Sequence, residues 1–519
     1  MSPLISRGKR SCGWFLPPIL VALLLPAMAA AVAPPPTALE RLDETIEDRI
    51  DANNIPGFAV AVVAGERTVH VRGFGEADGS GRKVTPRTPF VIGSSAKTIT
   101  ALAVMQLVDA GKVRLDAPVR RYVPEFQVEE ERAAERITVR QLLQQTTGLP
   151  ETAGGPLLRS LGGGTPLEAI GELRDTELAG DPGEEFGYSN GNFVLAGLVV
   201  ERASGEPFGR YVERHIFAPL GMERSFGSIE PARRVGLAVG HRYWFGFARE
   251  HGATFRPELR AAGYLISTAE DLGRYLALYL NDGVVNGRRL ISSRGLHAML
   301  SPARKAHLGP WSGDPPSSYA MGWFAGGPWR EQALLHPGNT PDSSSMLVVL
   351  PRRGWAVATL MNAGNELDIP GNPAAMDRAS RNAVDALLGE PAGGTSLKTF
   401  YVFFDLIVLL LVALAGYALY RDARALRRRE PSRHRVMALL GVAARAAAGV
   451  LVLAAPPLLG VGWSGAFLWT PDLAIVALAL GSLLVATALV RLAWLWRVRG
   501  APPAELRAPP TAAEPSPMR

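Results

Sequence analysis

The chain has 519 residues, 47% hydrophobic and 20% charged, which is too long for one ordinary domain and apolar enough for a globular part plus membrane segments. The formal net charge of +7 invites a nucleic-acid reading, but the surplus lies at the ends: residues 1–33 hold three basic and no acidic side chains, and residues 400–519 hold 13 basic against 6 acidic. That leaves residues 34–399 with a net of −3, which excludes a phosphate-binding surface there.

Arg7, Lys9 and Arg10, an apolar stretch from Trp14 to Leu25 and small residues from Ala27 to Ala33 read as a secretory signal over 1–33. The alternative is an uncleaved anchor, which the short, proline-containing apolar stretch disfavours. The single cysteine, Cys12, would leave with the signal, so an exported product has no disulfide, thiol nucleophile or thiolate metal site. Six of the eight histidines, His70, His215, His241, His251, His297 and His307, form no ligand-spaced pair, and neither a metal nor a cofactor is expected.

Within 37–390 the pattern is mixed. Thr37–Asn53 reads as an amphipathic helix and Gly57–Val71 as a strand pair turning at Gly65-Glu66. Lys97–Ala110, Phe193–Ser204 (ending at Gly205) and Thr268–Asp282 read as helices. The aromatic run Tyr243-Trp-Phe-Gly-Phe247 is expected to pack in the core rather than line a pocket or lean on a membrane. Ser344–Leu350 and Ala356–Met361 alternate as strands around a Pro351–Gly354 turn, and Pro373–Leu388 reads as a closing helix. Strands at both ends with helices between predict one sheet built from the two termini and a helical insertion.

After a linker at 391–399, three segments can each cross a bilayer: 400–420, 446–467 and 473–496. The loop 421–445 contains seven arginines between Arg421 and Arg435, while Gly460–Asp472 has no basic residue. Arginine-rich loops stay in the cytoplasm, so residue 399 is expected outside and the C-terminus inside, in agreement with an exported N-terminus. Arg445 either flanks the second span, the expected case, or sits inside it facing Asp405. Pro456-Pro457 would kink that helix, and the tail 497–519, rich in Pro and Ala, reads as disordered.

Chemistry begins at Ser94-Ser95-Ala96-Lys97. Serine and lysine three residues apart at a helix start share one face, which sets an ammonium beside a hydroxyl. Ser6 and Lys9 repeat the spacing by chance. Two further motifs stand at element boundaries where side chains converge on a cleft, Tyr188-Ser189-Asn190 before a helix and His336-Pro337-Gly338 before the terminal strand pair. Their chance twins are Tyr279-Leu280-Asn281 in a helix and His307-Leu308-Gly309 in a Pro/Gly-rich stretch.

With Leu115–Pro124, Ile137–Leu143, Thr147–Pro150, Phe217–Met222 and Gly263–Asp271, these segments resemble the serine β-lactamase and penicillin-binding protein superfamily, in its class C-like branch, over about residues 40–390. The resemblance implies an α+β fold, an antiparallel sheet flanked by helices plus a helical subdomain, here followed by three transmembrane helices. It also implies roles. Ser94 forms an acyl-enzyme and Lys97 lowers the cost of the alkoxide. Tyr188, whose free pKa is about 10, serves as general base beside cations. Asn190 binds the substrate amide or holds Lys97, and His336, Gly338 and Asn339 bind substrate, with the backbone N–H groups of Ser94 and Asn339 as the oxyanion hole. His336 stands where relatives carry lysine, and Gln144-Gln145 where Ser-His is usual, so ester, amide or D-amino-acid peptide substrates are expected over β-lactams. The alternatives are a β-lactamase or D,D-carboxypeptidase proper, and a catalytically silent sensor. The expected partners are a small-molecule or peptide substrate and membrane lipid, with no nucleic acid.

Overall fold

The computed structural model describes residues 32–150, 164–252, 254–301, 304–306, 317–329, 331–364, 375–428, 435–458 and 462–499. Nearly all of the expected signal (1–31), His307, Pro373, part of the arginine-rich loop (429–434) and the tail from 500 lie outside the described residues.

Helix α1 (Pro36–Asn53) precedes strands β1 (Gly57–Ala64) and β2 (Arg67–Gly75). Helices α2 (Ala96–Asp109), α3 (Asn190–Ser204) and α4 (Ala269–Leu280) follow, with a hairpin of β3 (His241–Trp244) and β4 (Phe247–Glu250) between α3 and α4. The C-terminal half supplies β5 (Arg304–Ala306), β6 (Ser317–Tyr319), β7 (Phe324–Gly326), β8 (Ala333–Thr340), β9 (Ser343–Leu350), β10 (Trp355–Met361), β11 (Ala363–Gly364) and α5 (Ala375–Leu388). The main sheet runs β2-β1-β10-β9-β8-β7-β6-β5. Its centre pairs β1 from the N-terminus with β10 antiparallel, Phe58 opposite Met361 through Ala64 opposite Trp355. Two ends of the chain thus close one sheet, as the order of strand and helix patterns predicts.

Every residue of β1, β9 and β10 is buried. Alternation along the strand explains how so apolar a run is used, because successive side chains enter opposite layers. Ala59, Ala61 and Val63 join Leu347 and Ala358 against α2, α3 and α4. Phe58, Val60 and Val62 join Val348 and Val357 against Leu42 and Ile46 of α1 and Ala383 and Leu387 of α5.

Two expectations are corrected in this part. His336-Pro337-Gly338 lies inside β8, with His336 opposite Leu347 and Gly338 opposite Ser345, rather than at a boundary before the last strands. Proline and glycine read locally as a turn, but the sheet tolerates both here. The aromatic run also divides. Tyr243 is buried and donates its hydroxyl to Asn53 O at 2.8 Å, whereas Trp244, Phe245 and Phe247 are exposed.

Three helices are long and apolar enough to cross a membrane: α6 (Leu397–Arg428), α7 (Arg435–Leu458) and α9 (Pro471–Arg499), with the short α8 (Gly462–Trp469) between the last two. Arg445 does not flank the second helix. Helix α7 starts at Arg435 and carries Arg445 in its interior. Its guanidinium meets Asp422 at 2.6 Å, not Asp405, and Arg491 of α9 meets the other oxygen of Asp422 at 2.9 Å. Pro456-Pro457 fall in the last turn of α7.

One fully buried carboxylate therefore joins three helices. Asp422→Leu leaves Arg421, Arg445 and Arg491 without that counter-charge, a class of change that costs about 3 kcal/mol or more. Thermal unfolding of the full chain in detergent should fall well below that of the native chain, and an unchanged midpoint would remove Asp422 as the bundle's tie.

Candidate active site

The site is built where the start of α2 meets β8. Gly93–Ser95 form a 3₁₀ turn that runs directly into α2, so Ser94 sits at the helix start and Lys97 one turn on. Gly93 has φ +52, and a Cβ there would come within 2.5 Å of Asn339 N. On the other side, a Cβ on Gly338 would lie 2.2 Å from Ile92 O and 2.7 Å from Ser95 N. Only two facing glycines let the strand come this close to the turn. The contact brings Asn339 N close to the backbone of the Ser94 turn. Ser95 Oγ fastens the same junction, bonding His336 O at 3.1 Å and Ser345 Oγ at 2.7 Å.

Lys97 is fully buried, and its Nζ lies 2.9 Å from Ser94 Oγ, 2.8 Å from Asn190 Oδ1 and 2.7 Å from Ala262 O. These three acceptors are uncharged. An ammonium donates to all of them and supports negative charge on Ser94 Oγ, whereas a neutral amine donates to two and turns its lone pair on the hydroxyl. Tyr188 completes the group, with its ring centroid 4.9 Å from Lys97 Nζ. It is half-buried and precedes α3, whose first residue is Asn190. Ser94, Lys97, Tyr188 and Asn190 thus lie together.

His336 lies deeper than expected for a substrate ligand. It is fully buried, its ring centroid 6.4 Å from that of Tyr188. Nδ1 is 2.7 Å from Pro337 O and Nε2 is 3.2 Å from the Tyr319 hydroxyl. The neutral tautomer that satisfies both donates from Nδ1 to the carbonyl and accepts at Nε2. Burial, reinforced by the Lys97 charge and partly opposed by the Pro337 carbonyl, pushes its pKa down to about 3. Between pH 6.5 and about 3 the unfolded chain binds a proton that the folded one refuses, so stability falls as pH falls through that window. A His336→Gln variant should therefore show a flatter fall in melting temperature between pH 6.5 and 4 than the native chain. Parallel curves would show that His336 takes up its proton without cost.

Asn339 donates from Nδ2 to Asp377 Oδ1 of α5 at 3.3 Å, and its Oδ1 has no partner among the described residues. Gly338 serves the approach of strand to turn. Three contributors escape sequence reasoning. Gln145, known only as a departure, is fully buried at φ +56. Its Oε1 accepts from Ser189 N at 3.0 Å and from Asn192 Nδ2 at 2.6 Å, which fixes the entry to α3 and so the positions of Tyr188 and Asn190. Asp377 and Ser345 carry no local signal at all. Among the described residues no cluster of His, Cys, Asp or Glu could hold a metal ion.

A family model described as Beta-lactamase matches residues 42–380, the span that contains every one of these groups. The chain belongs to the beta-lactamase family. Relatives extend the likeness: it is 25% identical over 450 residues to the protein "Protein flp" of Staphylococcus aureus (strain MW2), covering 83% of this chain and 86% of that one. It is 29% identical over 333 residues to "Penicillin-binding protein 4" of Amycolatopsis lactamdurans, covering 61% of this chain and 84% of that protein. Among solved structures, the octameric penicillin-binding protein homologue from Pyrococcus abyssi superposes with a TM-score of 0.59 at 26% identity, over 69% of this chain and 79% of that one. The D-stereospecific amidohydrolase from Streptomyces sp. superposes at 0.53 with 25% identity, over 68% and 98%. Beta-lactamase-family proteins are generally serine hydrolases, and this member adds three helices apolar enough to anchor it in a membrane.

Proposed function

We propose that this chain is a membrane-anchored serine hydrolase that acts through an acyl-enzyme on ester, amide or D-amino-acid peptide substrates outside the cytoplasmic membrane. The observation that carries the reading is the triple hydrogen bonding of buried Lys97 to Ser94 Oγ, Asn190 and Ala262 O, with Tyr188 packed beside it. Ser94 Oγ attacks the substrate carbonyl, its proton passing to Tyr188 or Lys97. The carbonyl oxygen, now negative, is held by the N–H groups of Ser94 and Asn339. Collapse of the tetrahedral adduct breaks the bond to the leaving group, which takes the proton and departs, leaving Ser94 esterified. Water then attacks the ester by the same route, and the free acid leaves.

The choice of substrate rests on His336. A buried, neutral imidazole offers no permanent cation to a substrate carboxylate, which disfavours β-lactams. The likeness to a D-stereospecific amidohydrolase supports D-configured amides. The arginine-rich stretch that begins at Arg421 supports a cytoplasmic C-terminus and an external hydrolase domain.

The test is turnover of p-nitrophenyl esters, a D-alanine anilide that has no carboxylate, and nitrocefin by purified protein, with Ser94→Ala as the blank. Ester or amide cleavage should exceed nitrocefin cleavage. Rapid nitrocefin turnover would overturn the substrate assignment.

A further inference from the structure

Outside α6–α9, six large hydrophobic side chains are exposed among the described residues, and three of them, Trp244, Phe245 and Phe247, share one four-residue tip. That tip joins β3 to β4, with Trp244 opposite Phe247. Its two central residues, Phe245 at φ +48 and Gly246 at φ +77, are both left-handed. A two-residue turn of that kind favours Asn-Gly, so a phenylalanine at the first position is a local cost accepted for what the side chain does.

The tip is fastened to the membrane helices. Phe245 N donates to Asp472 Oδ2 at 3.0 Å, and Asp472 is the second residue of α9. Gly246 sits against Tyr401, near the start of α6, where a Cβ would come within 3.0 Å of Tyr401 Cβ, and Asn54 Nδ2 donates to Gly246 O at 2.7 Å. Leu397 N, at the first residue of α6, donates to Asn53 Oδ1 at 2.9 Å. Just beyond Tyr401 the apolar surface of α6 begins, with Phe403, Leu406 and Ile407 exposed at 64%, 59% and 57%. The aromatic tip is therefore level with the outer start of the lipid-facing helices. Arg249 holds its guanidinium 5.7 Å from the Phe247 ring centroid and is itself exposed. An indole and two apolar rings with a long cationic side chain beside them suit the boundary between headgroups and acyl chains.

We propose that the β3–β4 tip is a lipid-interface anchor, inserting Trp244, Phe245 and Phe247 into the outer headgroup layer and holding the hydrolase domain against the bilayer. The proposal rests on α6, α7 and α9 spanning that bilayer. Its consequence for the site follows from β3. At the far end of the strand, His241 N donates to Asp342 O at 3.1 Å and Asn362 O at 2.9 Å, and Asp342 lies in the turn between β8 and β9, three residues beyond Asn339. At about 3.3 Å per residue, roughly 13 Å of backbone separates His241 from Phe245. The strand that carries the oxyanion N–H is thus tied through β3 to the membrane surface.

The test uses the full chain in lipid nanodiscs, in a Cys12→Ala background, with a nitroxide on one introduced cysteine at a time. Phe247→Cys reports the tip, Leu409→Cys the lipid-facing surface of α6, and Glu172→Cys the solvent face of the domain. Power saturation against oxygen and a nickel chelate should give the Phe247 label an oxygen-over-nickel ratio several-fold above that of Glu172 and on the side of Leu409. A Phe247 label as open to nickel as Glu172, with Leu409 in lipid, overturns the anchor alone. A Leu409 label open to nickel overturns the membrane spans and the anchor with them.

Discussion

Lys97→Met is expected to lower the acylation rate by about 10³-fold or more while the protein still folds. Methionine has a similar length and fills the buried site. The substitution removes three hydrogen bonds, to Ser94 Oγ, Asn190 Oδ1 and Ala262 O, but also the cost of keeping an ammonium away from water. These effects oppose one another in stability and act together in catalysis. Without Nζ, nothing at that position supports negative charge on Ser94 Oγ or receives its proton. The comparison is kcat/KM on an activated ester beside the melting temperature. A loss below about tenfold with an unchanged melting temperature would make Lys97 a structural cation and leave Ser94 to be activated by Tyr188 alone.

Tyr188→Phe should cost about 10² to 10⁴-fold in kcat, the usual range for a general acid or base. The ring stays beside Lys97, where it lies 4.9 Å from Nζ, and only the hydroxyl is lost. Packing near His336 and the entry to α3 are kept, because Gln145 fixes Ser189 through the backbone N–H. The loss should therefore appear in kcat, with KM little changed. A variant that keeps its kcat would transfer the proton step to Lys97.

The parts of this site legible in the sequence are those set by short spacing. Ser94 and Lys97 are three apart on a helix start, and Tyr188 and Asn190 flank Ser189, the residue that precedes another helix, so local geometry alone groups each pair. The sheet is legible for a different reason: β1, β9 and β10 are apolar throughout because both faces are covered. What joins the pairs is not local. Ser95 meets Ser345 across 250 residues, Gln145 meets Ser189 across 44, and Asn339 meets Asp377 across 38, and no periodicity encodes such contacts. His336 was legible as a departure from lysine, but its burial beneath Tyr188 depends on Tyr319 and Phe324 from neighbouring strands. In the membrane segment, an arginine ending an apolar run reads as a flank. Its placement inside α7 follows from Asp422 and Arg491 on two other helices.

The proposed mechanism puts the acyl group on Ser94. Incubating the native chain with a fluorophosphonate and locating the adduct by peptide mass spectrometry should give a single modification on Ser94, absent from a folded Ser94→Ala variant. No adduct on Ser94, or equal labelling of the Ser94→Ala variant at another residue, would contradict it.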